Sequence, residues 1–395
     1  MSKETFQKIT RIIRFDDPTS RRNNCDNFDK FTPIRNLWDK WVELLPMYYN
    51  PSECVTLDEQ LLGFHGRCSF RQYMPSKPER YGIKFWMLAC SKSCYVWNMQ
   101  PYLGKLPGNQ PERNQGQRVV LDLVTGLKGH NVTIDNFFSS FELGQKLLEK
   151  NLTMVGTMRK NKRSIPAKLL ECKKVPVYTS NFAFTQNTTL VSYIGRKDKC
   201  TVVQSTMHHT MSTGDPPKRL LEIIEYYNKT KGGVDTVDKM LSTYSCKRKT
   251  NRWPMAVFSN IVDISALNAL IVWMSVNKDW VDSQNKGRRK IFLRELGLSL
   301  AKPYMEHRKN YTGEIPSRGS GNLVMDNADS QPSGSQPQHP EPPKTRARCH
   351  YCVSEKKHHS ENKTELTCVM SKKNVCKRNH NRNICIECLD NRKNV

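Results

Sequence analysis

"HNVTIDNFFSS", residues 130–140, decides how the rest of the chain is read. A short β-branched run ends on Asp135 and turns at once into Asn, two Phe and two Ser. Asp is a poor strand former and costly to bury unpaired. Asp135 therefore either caps the next helix or holds something positive at the rim of a sheet. The pattern occurs once more upstream, where "CVTLD", residues 54–58, ends a second β-branched run on Asp58. If both strands lie in one sheet and run the same way, their ends set two carboxylates side by side, where like charges repel unless a cation binds.

A third acidic site is "GGVDTVDKM", residues 232–240, whose Asp235 and Asp238 are three apart and so share one face of a helix. Carboxylates converging from two strands and a helix suit two Mg²⁺ ions, hard cations that prefer oxygen. Such a pair activates a water or a 3′ hydroxyl and stabilises the leaving oxygen when a phosphodiester is cleaved. On spacing alone the plainer reading is the commoner one: a strand-end Asp is usually a turn or cap residue, and an i, i+3 Asp pair usually faces solvent.

The chain has 395 residues, room for two or three domains and for a core that needs no disulfides. Its 63 Lys and Arg against 37 Asp and Glu give a formal charge of +26, which favours a polyanionic partner, nucleic acid or an anionic membrane surface. The most apolar stretch, "VFSNIVDISALNALIVWMSV", contains Asp263, two Asn and three Ser and reads as a helix of a soluble protein, so no membrane partner is expected. The N-terminus has no apolar signal-peptide core, which implies a reducing compartment.

Along the chain, residues 1–50 read as a partial helical region, followed by three strands, helix, strand, helix and strand over 51–158. That order implies an α/β class with a mixed sheet flanked by helices. Residues 159–214 read as a β-rich insertion, and helical pattern resumes over 215–276, ending in a long run from Trp253 to about Val276 with Pro254 in its first turn. A basic segment and a Gly, Ser, Pro and Gln-rich disordered linker fill 277–348. Residues 349–395 form a separate cysteine-rich module holding six of the 14 cysteines.

Several long blocks resemble the piggyBac-type transposases: "TLDEQLLGFHGRCSFRQYMPSKPERYGIK", "MQPYLGK", "TIDNFFSS", "MVGTMRKNKRSIP", "YYNKTKGGVDTVDKM" and "RKTNRWPM", in the family's order over most of residues 54–276. The resemblance implies an RNase H-like catalytic domain interrupted by a β-rich insertion. It places the family's catalytic aspartates on Asp58, Asp135 and Asp235, with Asp238 as an additional metal-site candidate and two Mg²⁺ per site. It further implies cut-and-paste transposition: transposon ends are nicked, the 3′ hydroxyl forms a hairpin that is reopened, and the element inserts at TTAA. Double-stranded DNA, transposon ends and a second copy of the chain are the expected partners, and the nucleus the expected location.

Two basic runs flank the acidic blocks. Arg159, Lys160, Lys162 and Arg163 in the first, and Lys247, Arg248, Lys249 and Arg252 in the second, are candidate phosphate contacts, though basic runs are usually solvated faces. Trp253 reads as a core anchor rather than a base-stacking residue. "GRRK" near Arg288 reads either as a phosphate clamp or as a nuclear import signal.

In the tail, Cys349 and Cys352 form one C-x2-C pair, Cys385 and Cys388 another, with Cys368, Cys376 and His380 between them. That pattern indicates one or two structural Zn²⁺ ions, which hold a module too short to fold on apolar burial. Two four-ligand sites need an eighth ligand. The tail resembles the family's cross-braced cysteine-rich domain, in which another Cys stands where this chain has Ser371; His350, His358 or His359 substitutes, or one site is incomplete.

The resemblance implies that the chain starts near the middle of the family's helical dimerisation and DNA-binding region. The preferred reading is an active DNA transposase; the alternative is a domesticated, catalytically inactive DNA- or chromatin-binding protein. A protein-interaction module acting through the zinc tail is the third reading.

Overall fold

The computed structural model describes residues 2–17, 29–105, 112–212, 214, 216, 220–281 and 287–309, and in the tail 347–348, 350, 363–364, 366–368, 371, 373–374, 380–381 and 384–385. The chain divides into two units, Met1–Tyr311 and Thr312–Val395.

The first unit is organised around β1 (Cys54–Gly63), in which every residue except Asp58 and Glu59 is buried. A strand covered on both faces must be apolar or internally paired along its length, and this one has neighbours on both edges. On one side it pairs antiparallel with β3 (Tyr81–Cys90), which in turn pairs with β2 (Arg71–Tyr73) and β4 (Val96–Pro101). On the other it pairs in parallel with β5 (Asn131–Ile134), all four of whose residues are buried. β5 passes through α4 (Phe141–Glu149) to the parallel β6 (Thr153–Thr157), with α3 (Gln115–Leu123) preceding the unit. Ser140 starts α4, its hydroxyl accepting from Leu143 N at 3.1 Å.

The stretch read as an insertion supplies β7 (Ser180–Thr185), β8 (Thr188–Arg196) and β9 (Lys199–Ser205), and β9 pairs antiparallel with β6. These strands therefore prolong the main sheet, and β6 keeps no open edge beside β5. They bring a small apolar cluster of their own, including Met158, Leu169, Ile194 and Val202.

Three helices follow: α5 (Glu222–Thr230), α6 (Gly233–Thr243) and α7 (Trp253–Val276). By length and hydropathy α7 could cross a membrane. Its buried polar groups explain its sequence otherwise: Asn268 bonds both Val96 N (2.9 Å) and Val96 O (2.8 Å), and Asn260 donates to Gln60 of β1 at 2.9 Å. Those bonds tie the helix to the sheet. Trp253 stacks on Phe31 with centroids 5.5 Å apart and meets Phe70 edge-on, a core anchor as its position at the head of an apolar run implies.

Residues 288–309, read from sequence only as part of a basic segment and linker, form α8 (Arg288–Lys309), with Pro303 inside it. Its anchor is Phe292, buried and edge-on to Trp280. Of the rest of the expected basic segment and linker, 282–286 and 310–346 lie outside the described residues, and 347–348 form a short strand. At the other end, α1 (Lys3–Ile12) leaves its apolar face uncovered, with Ile12 73% exposed, while α2 (Arg35–Leu44) buries Trp38 in the main core.

In the second unit, β10 (Ala347–Arg348) pairs with β11 (Lys363–Thr364), and β12 (His380–Asn381) with β13 (Ile384–Cys385).

Candidate active site and nucleic-acid cleft

The parallel register of β1 and β5 matches Cys54 with Asn131 and Thr56 with Thr133, ending at Leu57 and Ile134. Alternation puts Cys54, Thr56, Asp58 and Gln60 on one face, and Asn131, Thr133 and Asp135 on the same face of the neighbour. Asp58 and Asp135 are thus the next pair in line, where β5 stops. One expectation is corrected by the pairing. Asp58 is not at the end of its strand, because β1 runs on to Gly63 with β3 still paired to it.

Asp135 leaves its strand into a tight turn. Its Oδ1 accepts from Phe137 N, and its carbonyl accepts from Phe138 N, Ser139 N and the Ser139 hydroxyl. Asp135 fixes this turn, and the helix cap falls to Ser140. Asp58 Oδ1 accepts from Glu59 N at 2.8 Å. Burial first, and then the adjoining Glu59 charge, push the Asp58 carboxyl up to about 8. Tyr227 of α5 stands close enough to both carboxylates to be affected by each: burial raises its phenol, the Thr157 hydroxyl bond lowers it, and Asp135 and Asp58 raise it further.

Asp235 and Asp238 enter from α6, across the same face. Asp235 is exposed, whereas Asp238 is half-buried and its Oδ1 accepts from Gln60 Nε2 at 3.0 Å. Burial raises the Asp238 carboxyl to about 6, against the lowering effect of Gln60 and Lys77. Lys77, from the turn between β2 and β3, reaches both: its Nζ lies 3.1 Å from Asp235 Oδ1 and 3.9 Å from Asp238 Oδ2. Among the described residues, no three His, Cys, Asp or Glu side chains converge as a ligand set for one ion. The donor chemistry still suits a hard dication, since every candidate ligand is a carboxylate oxygen, and Lys77 supplies positive charge to two of them.

A cleft of about 850 Å³ runs past Asp235 and Asp238, walled by Lys77, Lys239, Lys247, Arg248 and Lys249. The predicted basic residues divide by what they touch. Arg248 and Lys249 are exposed, but Lys247 Nζ donates to Gly63 O. Arg252 donates to Thr10 O and Arg11 O at 3.0 Å each and to Ile13 O, so it caps the C-terminus of α1. Arg159 lies on the rim next to Asp135, with Nε 3.2 Å from Asn136 Oδ1 and its guanidinium 5.5 Å from the Phe137 ring centroid. Lys160 and Arg163 are exposed and Lys162 half-buried on the adjoining turn.

A family model described as "Transposase IS4" matches residues 1–270. A piggyBac transposase, solved as a synaptic complex with hairpin DNA, superposes with a TM-score of 0.75 at 36% identity, covering 98% of this chain and 80% of that one. The chain belongs to the piggyBac-type transposases. Among human proteins, piggyBac transposable element-derived protein 3 is 26% identical over 273 residues, 64% of this chain and 45% of the relative. The chimeric ERCC6-PGBD3 protein is also 26% identical over 273 residues, which make up 25% of its length. The chain thus spans less than half the length of these curated relatives.

For this piggyBac-type chain, sequence reasoning named the aspartates but missed Lys77, Gln60 and Tyr227. Lys77 comes from a turn with no periodic signal, and Gln60 looked like an ordinary strand position. Parity with Asp58 was the available clue to Gln60, because residues two apart on a strand share a face.

Of the expected zinc ligands, Cys349, Cys352, Cys376 and Cys388 lie outside the described residues, and only the backbone of His380 and Cys385 is described. His358 and His359 also fall outside. Cys368 is buried, and its Sγ accepts from Ser371 N at 3.4 Å.

Proposed function

We propose that this chain is a metal-dependent DNA transposase of the DDD type, which cleaves transposon ends and joins them to TTAA targets. The observation that carries this reading is the parallel register of β1 and β5, which makes Asp58 and Asp135 neighbours on the face that α6 crosses with Asp235 and Asp238. Asp58, Asp135 and Asp235 would hold two Mg²⁺ ions, with Asp238 as a further ligand. Those ions would supply activation of the attacking water or 3′ hydroxyl and charge stabilisation at the leaving oxygen.

The chain's own groups have distinct tasks. Exposed Arg248 and Lys249 neutralise phosphates along the cleft, while Arg159 and the Lys160 to Arg163 turn do so beside Asp135. Gln60 orients Asp238 by donating to one carboxylate oxygen, and the other faces Lys77. Lys77 balances the charge of Asp235 and Asp238 when no dication is present. The zinc-binding tail, with one or two Zn²⁺ held by Cys349, Cys352, Cys368, Cys376, His380, Cys385 and Cys388, is assigned to transposon-end binding by a dimer in the nucleus. A family relative solved with hairpin DNA supports the choice of substrate.

The test is strand nicking of a duplex carrying the element's terminal repeat and a flanking TTAA. Nicking and hairpin products that need Mg²⁺ and vanish in Asp135→Ala are expected. DNA binding by the folded wild-type protein without any product would favour the inactive DNA-binding alternative.

A further inference from the structure

The carboxylates sit at one end of a polar stripe whose inner rungs have no part in the chemistry. On β1 and β5 those rungs are Cys54 with Asn131 and Thr56 with Thr133, and the last residue of α5, Thr230, lies across the second. The Thr56 hydroxyl lies 2.6 Å from Thr230 O, and the Thr133 hydroxyl 2.8 Å from the Thr230 hydroxyl. The direction of each bond follows from the proton count. Thr230 O has no hydrogen, so Thr56 donates to it and accepts from Ser91 at 2.7 Å. The Thr230 hydroxyl donates to Tyr226 O at 2.7 Å, so it accepts from Thr133. One residue therefore takes a hydrogen bond from each of the two strands that carry Asp58 and Asp135, two residues before each carboxylate.

Three residues further on, α6 begins, and the approach is close. A Cβ on Gly233 would lie 2.7 Å from Thr56 Oγ1, so the helix that carries Asp235 and Asp238 starts against the same hydroxyl. We propose that Thr230 is a positioning residue: it locks the α5–α6 junction to β1 and β5 together and so fixes the spacing of the α6 carboxylates from Asp58 and Asp135. It rests on the metal-dependent reading above. Thr230 touches neither substrate nor metal; it acts through the backbone of residues 230–233. The hydroxyl makes the bond to β5 and the backbone carbonyl the bond to β1, so the hydroxyl is the half of the lock that a side-chain change removes.

The test uses the full chain and Mn²⁺ as a spectroscopic probe, with free Mn²⁺ counted by electron paramagnetic resonance. Thr230→Val removes the acceptor while keeping the shape, Thr133→Val removes the donor from β5, and Thr230→Ser keeps the hydroxyl. Thr189→Val is the control, since it deletes a buried hydroxyl of β8 that donates to His208 O at 2.6 Å, outside the site. Thr230→Val and Thr133→Val are expected to weaken Mn²⁺ binding by about tenfold or more, the usual cost of losing a group that orients ligands. Thr230→Ser restores wild-type binding, and Thr189→Val lowers Tm without changing Mn²⁺ binding. Wild-type Mn²⁺ affinity in folded Thr230→Val overturns the role of Thr230 alone. Absence of Mn²⁺ binding by the wild-type protein overturns the metal-dependent reading and, with it, the positioning role.

Discussion

At the scale of single residues, Asp58 and Asp238 are held in a state that a cation would relieve. A carboxyl raised in the folded state is harder to ionise there than in the unfolded chain, so ionisation costs stability. For Asp58 that cost is absent below the ordinary carboxylate value, grows as pH rises, and is complete above about 8; for Asp238 it is complete above about 6. Metal-free protein should therefore lose stability between mildly acidic and mildly alkaline pH. Asp58→Asn should melt higher than wild type at pH values above the folded pKa and no higher in acid, as read by calorimetry in chelator. Lys77→Met should act in the other direction, lowering Tm near neutrality by leaving Asp235 and Asp238 without their shared cation. The pairing of Asp58 and Asp135 was legible because "CVTLD" and "NVTID" repeat one pattern, and equal pattern on parallel strands gives equal height. Lys77 was not legible, since nothing local marks which way a turn lysine reaches.

At the scale of elements, close approach and capping decide what can change. Gly233→Ala would press a methyl group on Thr56, in a strand that cannot retreat, and should cost about 1–3 kcal/mol in urea unfolding. Gly232 has nothing within 4 Å of its added Cβ, and Gly232→Ala should be tolerated. Arg252→Ala should speed amide exchange across α1 by removing its C-terminal cap, a local effect distinct from weakened DNA affinity. Strand and helix order in the sheet was readable from period-2 runs and Ser, Gly and Pro punctuation. The prolongation of the sheet by β9 was not, because which edge a strand joins depends on partners far away in sequence. α8 was hidden by its basic start and its internal Pro303, and its anchors, buried Phe292 and Arg289 donating to Met240 O, show only in the folded chain.

At the scale of the molecule, positive charge and a carboxylate site meet along one cleft. Replacing Arg248 and Lys249 together by Ala should weaken binding to all duplexes alike and flatten the dependence of log K on log salt by roughly one unit for each phosphate left without a neutralising side chain. Metal analysis of the purified chain should find one or two Zn²⁺, and their removal should unfold the tail, since ligand-held modules of this size lose structure without metal. The proposed function requires Asp58, Asp135 and Asp235 to act as one unit on DNA. Its most direct test is the single-turnover rate of Mg²⁺-dependent cleavage of a transposon-end duplex by Asp58→Asn, Asp135→Asn and Asp235→Asn, each checked for retained DNA binding. Each variant should lose about a thousandfold or more while still binding. Cleavage at the wild-type rate by any one of the three, or equal wild-type cleavage in chelator, would contradict it.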